Sequence, residues 1–87
     1  MRVDFMPTAW NDYTYWQTQD KKTLKRINQL IESIVRNGHK SIGNPEPLKG
    51  NLSGWWSCRI DDKNRLIYKI ENDTVEILQC KGHYEDK

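Results

Sequence analysis

Residues 44–68 limit the fold of this chain more than any other stretch, because near their start a glutamate, Glu46, stands between two prolines. A proline ring fixes its own φ and disfavours the helical region for the residue before it, so Glu46 is held on a stiff, extended segment. A turn-rich segment follows, and residues 55–60 and 65–70 then read as two strands joined by a polar turn. The sequence therefore predicts a hairpin with a rigidly placed carboxylate at its edge.

The beginning of the chain predicts a strand and a helix. Residues 2–6 alternate polar and apolar side chains, which indicates a short strand that ends at Pro7. Thr8 is a suitable cap for a helix over residues 9–19. Aromatic residues recur along this helix at helical spacing, and we predict that they face the core: Trp10, Tyr13 and Trp16.

A second, longer helix is predicted over residues 21–36, with Asp20 as its N-cap and Gly38 just beyond its end. Its apolar face consists of Leu24, Ile27, Leu30 or Ile31, Ile34 and Val35. Its opposite face is basic and consists of Lys21, Lys22, Lys25, Arg26 and Arg36. Exposed lysines are common on surface helices, so we favour a solvated face over a nucleic-acid-binding one.

A last strand, over residues 74–80, follows the turn Asn72-Asp73 and completes the order β-α-α-β-β-β. Successive strands with short turns predict an antiparallel sheet, and the two N-terminal helices can pack on only one of its faces. The predicted fold class is therefore α+β, with the other sheet face partly open to a ligand such as a nucleic acid strand. A chain of 87 residues is expected to form one domain, 1–87.

Composition excludes several classes of protein. Charged residues make up 30% and hydrophobic residues 36%, and four Trp and four Tyr distinguish the chain from a disordered polyelectrolyte. No apolar run is long enough for a membrane span or a secretory segment, which favours a cytoplasmic protein with no membrane partner. We interpret Cys58 and Cys80 as reduced thiols that serve as small core residues. His39 is read as a loop histidine without a partner nearby in sequence, and we assign it no role.

The reactive side chains expected on the open face are one carboxylate, several cations, a histidine and a tyrosine: Glu46, Lys49, Arg59, Arg65, His83 and Tyr84. Neither a metal-ligand spacing nor a glycine-rich phosphate loop occurs among them, so we expect neither a metal nor a cofactor. An acid–base pair flanked by guanidinium groups can cleave RNA through the RNA's own 2′-hydroxyl. Glutamate can accept the 2′ proton, histidine can protonate the departing oxygen, and arginine can bind the phosphate as its negative charge increases.

Each of these residues also has a less specific explanation when it is taken singly. Glu46 can be a solvated loop acid, Arg65 a cross-strand partner of Asp61 or Glu76, and His83 a surface residue near the terminus. Tyr84 can stack on a base or pack against the sheet.

The sequence resembles the YoeB/Txe group of toxins in the RelE superfamily of bacterial toxin–antitoxin systems. The resemblance lies in the central block PEPLKGNLSGWWSCRIDDKNRLIY, the early W-x-D-Y-x-Y-W over residues 10–16, the K-R-I-N-x-L-I helix over 25–31, and the final His83-Tyr84. It implies a RelE-like fold similar to that of microbial ribonucleases, and an endoribonuclease that cleaves the mRNA codon in the A site of the 70S ribosome.

The same resemblance implies roles for individual residues: Glu46 as general base, His83 as general acid and Arg65 as transition-state stabiliser. Lys49 and Arg59 match basic positions that bind phosphate, and Tyr84 matches a terminal aromatic. The resemblance also implies a homodimer, and a cognate antitoxin whose disordered C-terminal segment folds over the toxin.

Three positions depart from the pattern of these toxins. Cys58 stands where many relatives have a basic residue, which predicts a weaker phosphate contact. Gly82 replaces a bulkier residue, which predicts a looser placement of His83. The chain continues past Tyr84 with Glu85-Asp86-Lys87, which adds two negative charges beside the proposed acid. Two other functions remain open: a non-catalytic binding toxin like the ParE-type gyrase inhibitors, and an RNA-binding module.

Overall fold

Two helices pack on one face of a five-stranded sheet in the computed structural model, which describes residues 1–83. In chain order the elements are β1 (Arg2–Phe5), α1 (Pro7–Gln19), α2 (Lys21–Asn37), β2 (Glu46–Pro47), β3 (Trp56–Arg59), β4 (Arg65–Glu71) and β5 (Thr74–Gln79). The strands lie in the order β1-β5-β4-β3-β2. The predicted α+β class and the packing of both helices on one face are therefore confirmed.

The sheet is mixed, whereas the sequence predicts an antiparallel one. The strands from β2 to β5 do form an antiparallel meander, but β1 lies parallel to β5, with Val3 opposite Val75. The helices carry the chain from β1, at one edge of the sheet, across one face to β2 at the other edge. Strand β2 is absent from the predicted order, because a two-residue strand that contains a proline has no detectable alternation.

Both helix starts follow local chemistry, but only one follows the prediction. Asp20 caps α2, and its carboxylate accepts hydrogen bonds from the backbone N–H groups of Lys22 and Thr23. Thr8 does not cap α1, contrary to prediction. That helix begins at Pro7, two residues before its predicted start, and no side chain bonds at its N-cap, Met6. Proline suits the first helical position because its fixed φ matches the helix and it has no N–H to satisfy.

The hydrophobic core lies between the helices and one face of the sheet. Helix α2 contributes Ile27, Leu30 and Ile34, all fully buried, which confirms its predicted apolar face. Helix α1 contributes Ala9 and Trp16. Trp10 was predicted to face the core as well, but it is 52% exposed and contacts Phe5 and Tyr13 at the surface.

Strands β3, β4 and β5 complete this core with the side chains of one sheet face: Cys58, Leu66, Tyr68, Val75 and Ile77. A bulge in the β4–β5 pair shifts the register, so that Ile67 lies opposite Gln79 but Tyr68 lies opposite Ile77. Since side chains alternate along a strand, this extra residue places Gln79 on the face away from the helices. The next residue, Cys80, lies back in the core, where its backbone N–H and carbonyl bond to Asp12 and Trp16 of α1.

Candidate active site

The second sheet face carries polar side chains in register. Glu46 of β2 lies opposite Ser57 of β3, and Ser57 lies opposite Ile67 of β4. Two residues further along the same face, Arg59 lies opposite Arg65. Pairing across three strands therefore places one carboxylate, one hydroxyl and two guanidinium groups on the same side of the sheet.

These side chains enclose a cleft of about 140 Å³, lined by Asn44, Glu46, Ser57, Arg59 and Arg65. The structure thus brings together three of the residues predicted for the site: Glu46, Arg59 and Arg65. Glu46 is exposed, and among residues 1–83 its carboxylate has no hydrogen-bond or ion-pair partner. The cleft therefore holds an uncommitted carboxylate close to two cations.

The backbone is fixed on both sides of Glu46. Asn44 has a φ of 55°, a left-handed conformation that few residues other than glycine adopt, and the carbonyl of Gly43 accepts a hydrogen bond of 2.9 Å from the N–H of Arg59. After Glu46, the N–H of Leu48 donates to the carbonyl of Trp55 at 2.9 Å. This confirms the prediction of a stiff, extended segment and explains its position beside β3.

Two arginines directly opposite each other on neighbouring strands are unfavourable, because like charges repel. Arg59 forms an ion pair with Asp62. Arg65 donates instead to neutral acceptors, the backbone carbonyls of Asp61 and Asn64. Arg65 therefore forms no salt bridge within the described residues. Of the two partners predicted as alternatives, it contacts Asp61 through the backbone carbonyl, whereas Glu76 pairs with Lys69. An anion bound between the two guanidinium groups would relieve the repulsion.

The turn between β3 and β4 is built around Asp61. Its carboxylate accepts hydrogen bonds from the N–H groups of Lys63 and Asn64, at 2.8 Å and 2.7 Å, and from the Asn64 side chain. Partial burial acts to raise the pKa of Asp61, but these hydrogen bonds and the charge of Arg65 together hold it below its ordinary value. The turn is thus held by an ionised carboxylate.

His83 lies beside this turn and does not line the cleft. Its Nε2 is 3.1 Å from the carbonyl oxygen of Asp62. A carbonyl can only accept, so Nε2 carries a proton in this hydrogen bond. The preceding residue, Gly82, donates its N–H to Oδ1 of Asn64 at 2.7 Å, and its carbonyl accepts from the N–H of Arg65 at 3.0 Å. The predicted general acid is therefore attached to the turn that also binds Arg65.

The remaining predictions for the site have mixed outcomes. Lys49 is exposed and lies outside the cleft lining. Tyr84 and the Glu85-Asp86-Lys87 tail lie outside the described residues. Cys58 is fully buried on the helix side of the sheet. A cysteine in place of a basic residue at this position therefore removes no cation from the cleft, contrary to the predicted weaker phosphate contact. The prediction that Gly82 loosens the placement of His83 is wrong, because both backbone groups of Gly82 are hydrogen-bonded.

The two cysteines behave as the sequence predicts. Both are free and fully buried. Burial raises the pKa of Cys58 to about 11 and, with the nearby Asp12 carboxylate, that of Cys80 to about 12. These thiols are therefore not ionised at neutral pH.

Within residues 1–83, no group of three or more His, Cys, Asp or Glu side chains is arranged to hold a metal ion. None of the helices described is long and apolar enough to span a membrane.

Sequence reasoning missed His39, which has partners that are distant in sequence. Its ring stacks on Trp56 with centroids 3.7 Å apart, and its Nδ1 is 3.0 Å from the hydroxyl of Tyr68. Burial lowers the pKa of His39 and favours its neutral form. It packs on the helix side of the sheet, away from the cleft. Asn44, Ser57 and Asn64 were also missed, and the only signal for them was their place beside residues of the predicted site.

A mixed sheet with two helices on one face and an acid–guanidinium cleft on the other defines a small α+β toxin of the RelE superfamily. The family model for the YoeB-like toxin of bacterial type II toxin–antitoxin systems matches residues 5–84, and the chain belongs to this family.

Individual relatives agree with this assignment. A toxin YoeB of Streptomyces coelicolor is 51% identical over 84 residues, which cover 97% of this chain and 100% of the relative. A YoeB/ParE toxin from Agrobacterium tumefaciens superposes with a TM-score of 0.93 at 36% identity, covering 97% of this chain and 100% of that one. YoeB from Staphylococcus aureus, solved as a dimer and in a heterotetrameric complex with YefM, superposes with a TM-score of 0.89 at 46% identity, covering 97% and 98%.

Proposed function

We propose that this toxin is an endoribonuclease that enters the A site of the 70S ribosome in the cytoplasm and cleaves the mRNA codon held there, which inhibits translation. One observation carries the proposal: Glu46, Arg59 and Arg65 line a single cleft, and His83 is bound to the turn that holds Arg65. A domain that only binds a partner has no need for an acid, a base and two guanidinium groups in this arrangement.

The reaction uses the nucleophile already present in RNA. Glu46 removes the proton from a 2′-hydroxyl, and the 2′ oxygen attacks the adjacent phosphorus. The bond from phosphorus to the 5′ oxygen breaks, and His83 protonates that oxygen. The products are a 2′,3′-cyclic phosphate and a 5′-hydroxyl end, and exchange with water restores the protonation states of Glu46 and His83. No metal or cofactor takes part in these steps.

Arg65 supports this reaction through its guanidinium group, which forms no salt bridge within residues 1–83. A guanidinium group presents several N–H donors in a fixed plane, and Arg65 uses Nη1 for the carbonyls of Asp61 and Asn64. The rest of its fork can bind the non-bridging phosphate oxygens as negative charge increases. Lys49, Arg59 and Tyr84 bind the flanking RNA. The Nε2 proton of His83 is committed to the carbonyl of Asp62, so Nδ1 is the nitrogen that gains and loses the catalytic proton.

The partners follow from the family. YoeB of Staphylococcus aureus is a dimer in one structure and a heterotetramer with YefM in another. We propose that this chain likewise forms a homodimer and binds a cognate antitoxin, whose disordered C-terminal segment folds over the toxin and blocks or distorts the site.

The test is primer extension on a defined mRNA incubated with the purified toxin, with and without ribosomes paused at a known codon. We expect a cut confined to the A-site codon that requires ribosomes. Glu46→Ala and His83→Ala should each lower the cleavage rate by about 10²–10⁴, the usual contribution of a catalytic acid or base. Both variants should still bind ribosomes, which sedimentation measures.

Two other results would point to a different function. Binding to ribosomes without a cut by the wild-type toxin would indicate an RNA-binding module. Binding to gyrase in place of ribosomes, again without a cut, would indicate a binding toxin of the ParE type. Either result would overturn the proposed endonuclease.

A further inference from the structure

Asn64 is the last residue of the β3–β4 turn, and its side chain bonds at both ends. Its Nδ2 lies 3.1 Å from each carboxylate oxygen of Asp61, and its Oδ1 accepts from the N–H of Gly82 at 2.7 Å. A carboxylate only accepts and a backbone N–H only donates, so a single orientation of the amide satisfies both partners. Replacement of Asn64 by aspartate, alanine or lysine, with no other change in the chain, would remove at least one of these bonds.

The backbone of Asn64 is used as fully as its side chain. Its carbonyl accepts from the N–H groups of Ile60 and Asp61 and from Nη1 of Arg65. One residue therefore connects the turn, the candidate transition-state stabiliser and the segment that ends in His83.

The segment before His83 is held by this connection and by Gln79, whose Nε2 donates to the carbonyls of Lys81 and His83. Gly82 has no side chain, its φ is 78°, and a Cβ placed on it would meet no atom of the described residues within 4 Å. It is held through its backbone, by Asn64 on one side and the N–H of Arg65 on the other. The imidazole itself adds one bond, to the carbonyl of Asp62 in the same turn.

We propose that Asn64 is a positioning residue that fixes the general acid His83 relative to Arg65. It does not touch the substrate, and it acts through Gly82 and Asp61. This inference rests on the proposed ribonuclease function, because it assigns Asn64 a role in that reaction.

The experiment compares single-turnover cleavage of an A-site codon by the full-length toxin and three variants. Asn64→Ala removes both side-chain bonds and should lower the maximal rate by about 10- to 100-fold, as small displacements of a catalytic group do. Its affinity for programmed ribosomes should not change, since no group that faces RNA is altered. Lys63→Ala is the matched control, because this exposed neighbour in the same turn makes no side-chain bond within the described residues, and it should cleave like the wild type.

The third variant exchanges the two partners, Asp61→Asn with Asn64→Asp. The asparagine at 61 can accept from the turn N–H groups and donate to the aspartate at 64, which in turn accepts from Gly82. The exchange keeps the net charge, the bonds to the turn N–H groups, the bond to Gly82 and one of the two side-chain contacts between residues 61 and 64. We therefore expect this double variant to regain most of the rate that Asn64→Ala loses. In parallel, hydrogen exchange at the Gly82 amide should be fast in Asn64→Ala and slow in the wild type and the double variant.

The outcomes separate this inference from the function on which it rests. A wild-type toxin that cuts no RNA overturns the ribonuclease proposal itself. A wild type that cuts, together with Asn64→Ala that cuts equally fast or loses only ribosome affinity, overturns the positioning role alone. A slow Asn64→Ala whose rate the exchange of partners does not restore also overturns it, because the loss would then not come from these hydrogen bonds.

Discussion

The β4–β5 and β3–β4 hairpin turns differ in length and in the hydrogen bonds and ion pairs that they form with residues of the site. The β4–β5 turn consists of Asn72 and Asp73, both left-handed with φ values of 53° and 58°. It reverses the chain in two residues, in the manner of a type I′ turn. The β3–β4 turn spans the five residues between Arg59 and Arg65, and it bonds to both arginines and to the segment that ends in His83.

This difference indicates which turn serves the site. A two-residue turn is sufficient to connect two antiparallel strands, so the longer turn is not needed for the hairpin alone. Its additional residues provide the carbonyls of Asp61 and Asp62 and the amide of Asn64, which hold Arg65 in the cleft and attach His83 to the turn. We therefore expect changes in the β3–β4 turn to affect cleavage, and changes in the β4–β5 turn to affect stability alone.

In the comparison of the two turns, the largest effect is expected at Arg65, the residue that the β3–β4 turn holds in the cleft. Arg65→Lys keeps the positive charge but loses the planar fork, so one ammonium group cannot bind the turn carbonyls and the phosphate together. Loss of one such donor typically lowers kcat by about 10²–10³. Single-turnover cleavage of an A-site codon measures this. A rate within twofold of the wild type would mean that charge alone suffices and that the turn does not position Arg65.

A smaller effect is expected from Asp61→Ala, which removes the carboxylate at the centre of the β3–β4 turn. Two backbone N–H groups lose their acceptor, at a cost of about 1 kcal/mol in the free energy of unfolding, as for a lost helix cap. The rate should fall by about 10-fold, less than for Arg65→Lys, because the backbone carbonyl that binds Arg65 remains. Urea unfolding and cleavage assays test the two expectations separately. Unchanged values in both would remove the proposed distinction between the turns.

The pH dependence of stability offers a second test of Asp61. Its pKa is lower in the folded protein than the ordinary value of 3.8. Such a group stabilises the fold at pH values above the unfolded-state pKa, and that stabilisation is lost as the pH falls through the lower, folded-state pKa. Asp61→Asn cannot ionise, so its unfolding free energy should decline less than that of the wild type between pH 5 and the acid limit of folding. Parallel curves would contradict this assignment.

Much of the fold follows from local patterns in the sequence. The apolar stripe of α2, its Asp20 cap and the turn at residues 72–73 each depend on neighbours within a few positions, and all three are found. The parallel pairing of β1 with β5 depends on residues more than seventy positions apart, and no local pattern encodes it. Trp10 contacts Phe5 and Tyr13 but stays half exposed, which periodicity alone cannot predict.

The site divides in the same way. The prolines around Glu46 and the chemistry of an acid, a base and a guanidinium are visible in the sequence, and the cleft confirms that Glu46, Arg59 and Arg65 meet. The roles of Asn64 and Asp62 in holding Gly82 and His83 are not visible, because they are hydrogen bonds between a turn and a segment about twenty residues away. The contacts of His39 were missed for the same reason, since its partners Trp56 and Tyr68 lie on strands that are distant from it in sequence.

The smallest effect is expected in the β4–β5 turn. Asp73→Gly creates the Asn-Gly pair that type I′ turns prefer and relieves a left-handed φ of 58°. The relief of strain outweighs the greater flexibility of glycine in the unfolded chain, so the free energy of unfolding should rise by about 0.5 kcal/mol. The exposed contact of the Asp73 carboxylate with the N-terminal ammonium, at 3.9 Å, contributes little. The cleavage rate should stay at the wild-type value, and a rate that fell as it does in Asp61→Ala would show that the two turns do not divide stability from catalysis.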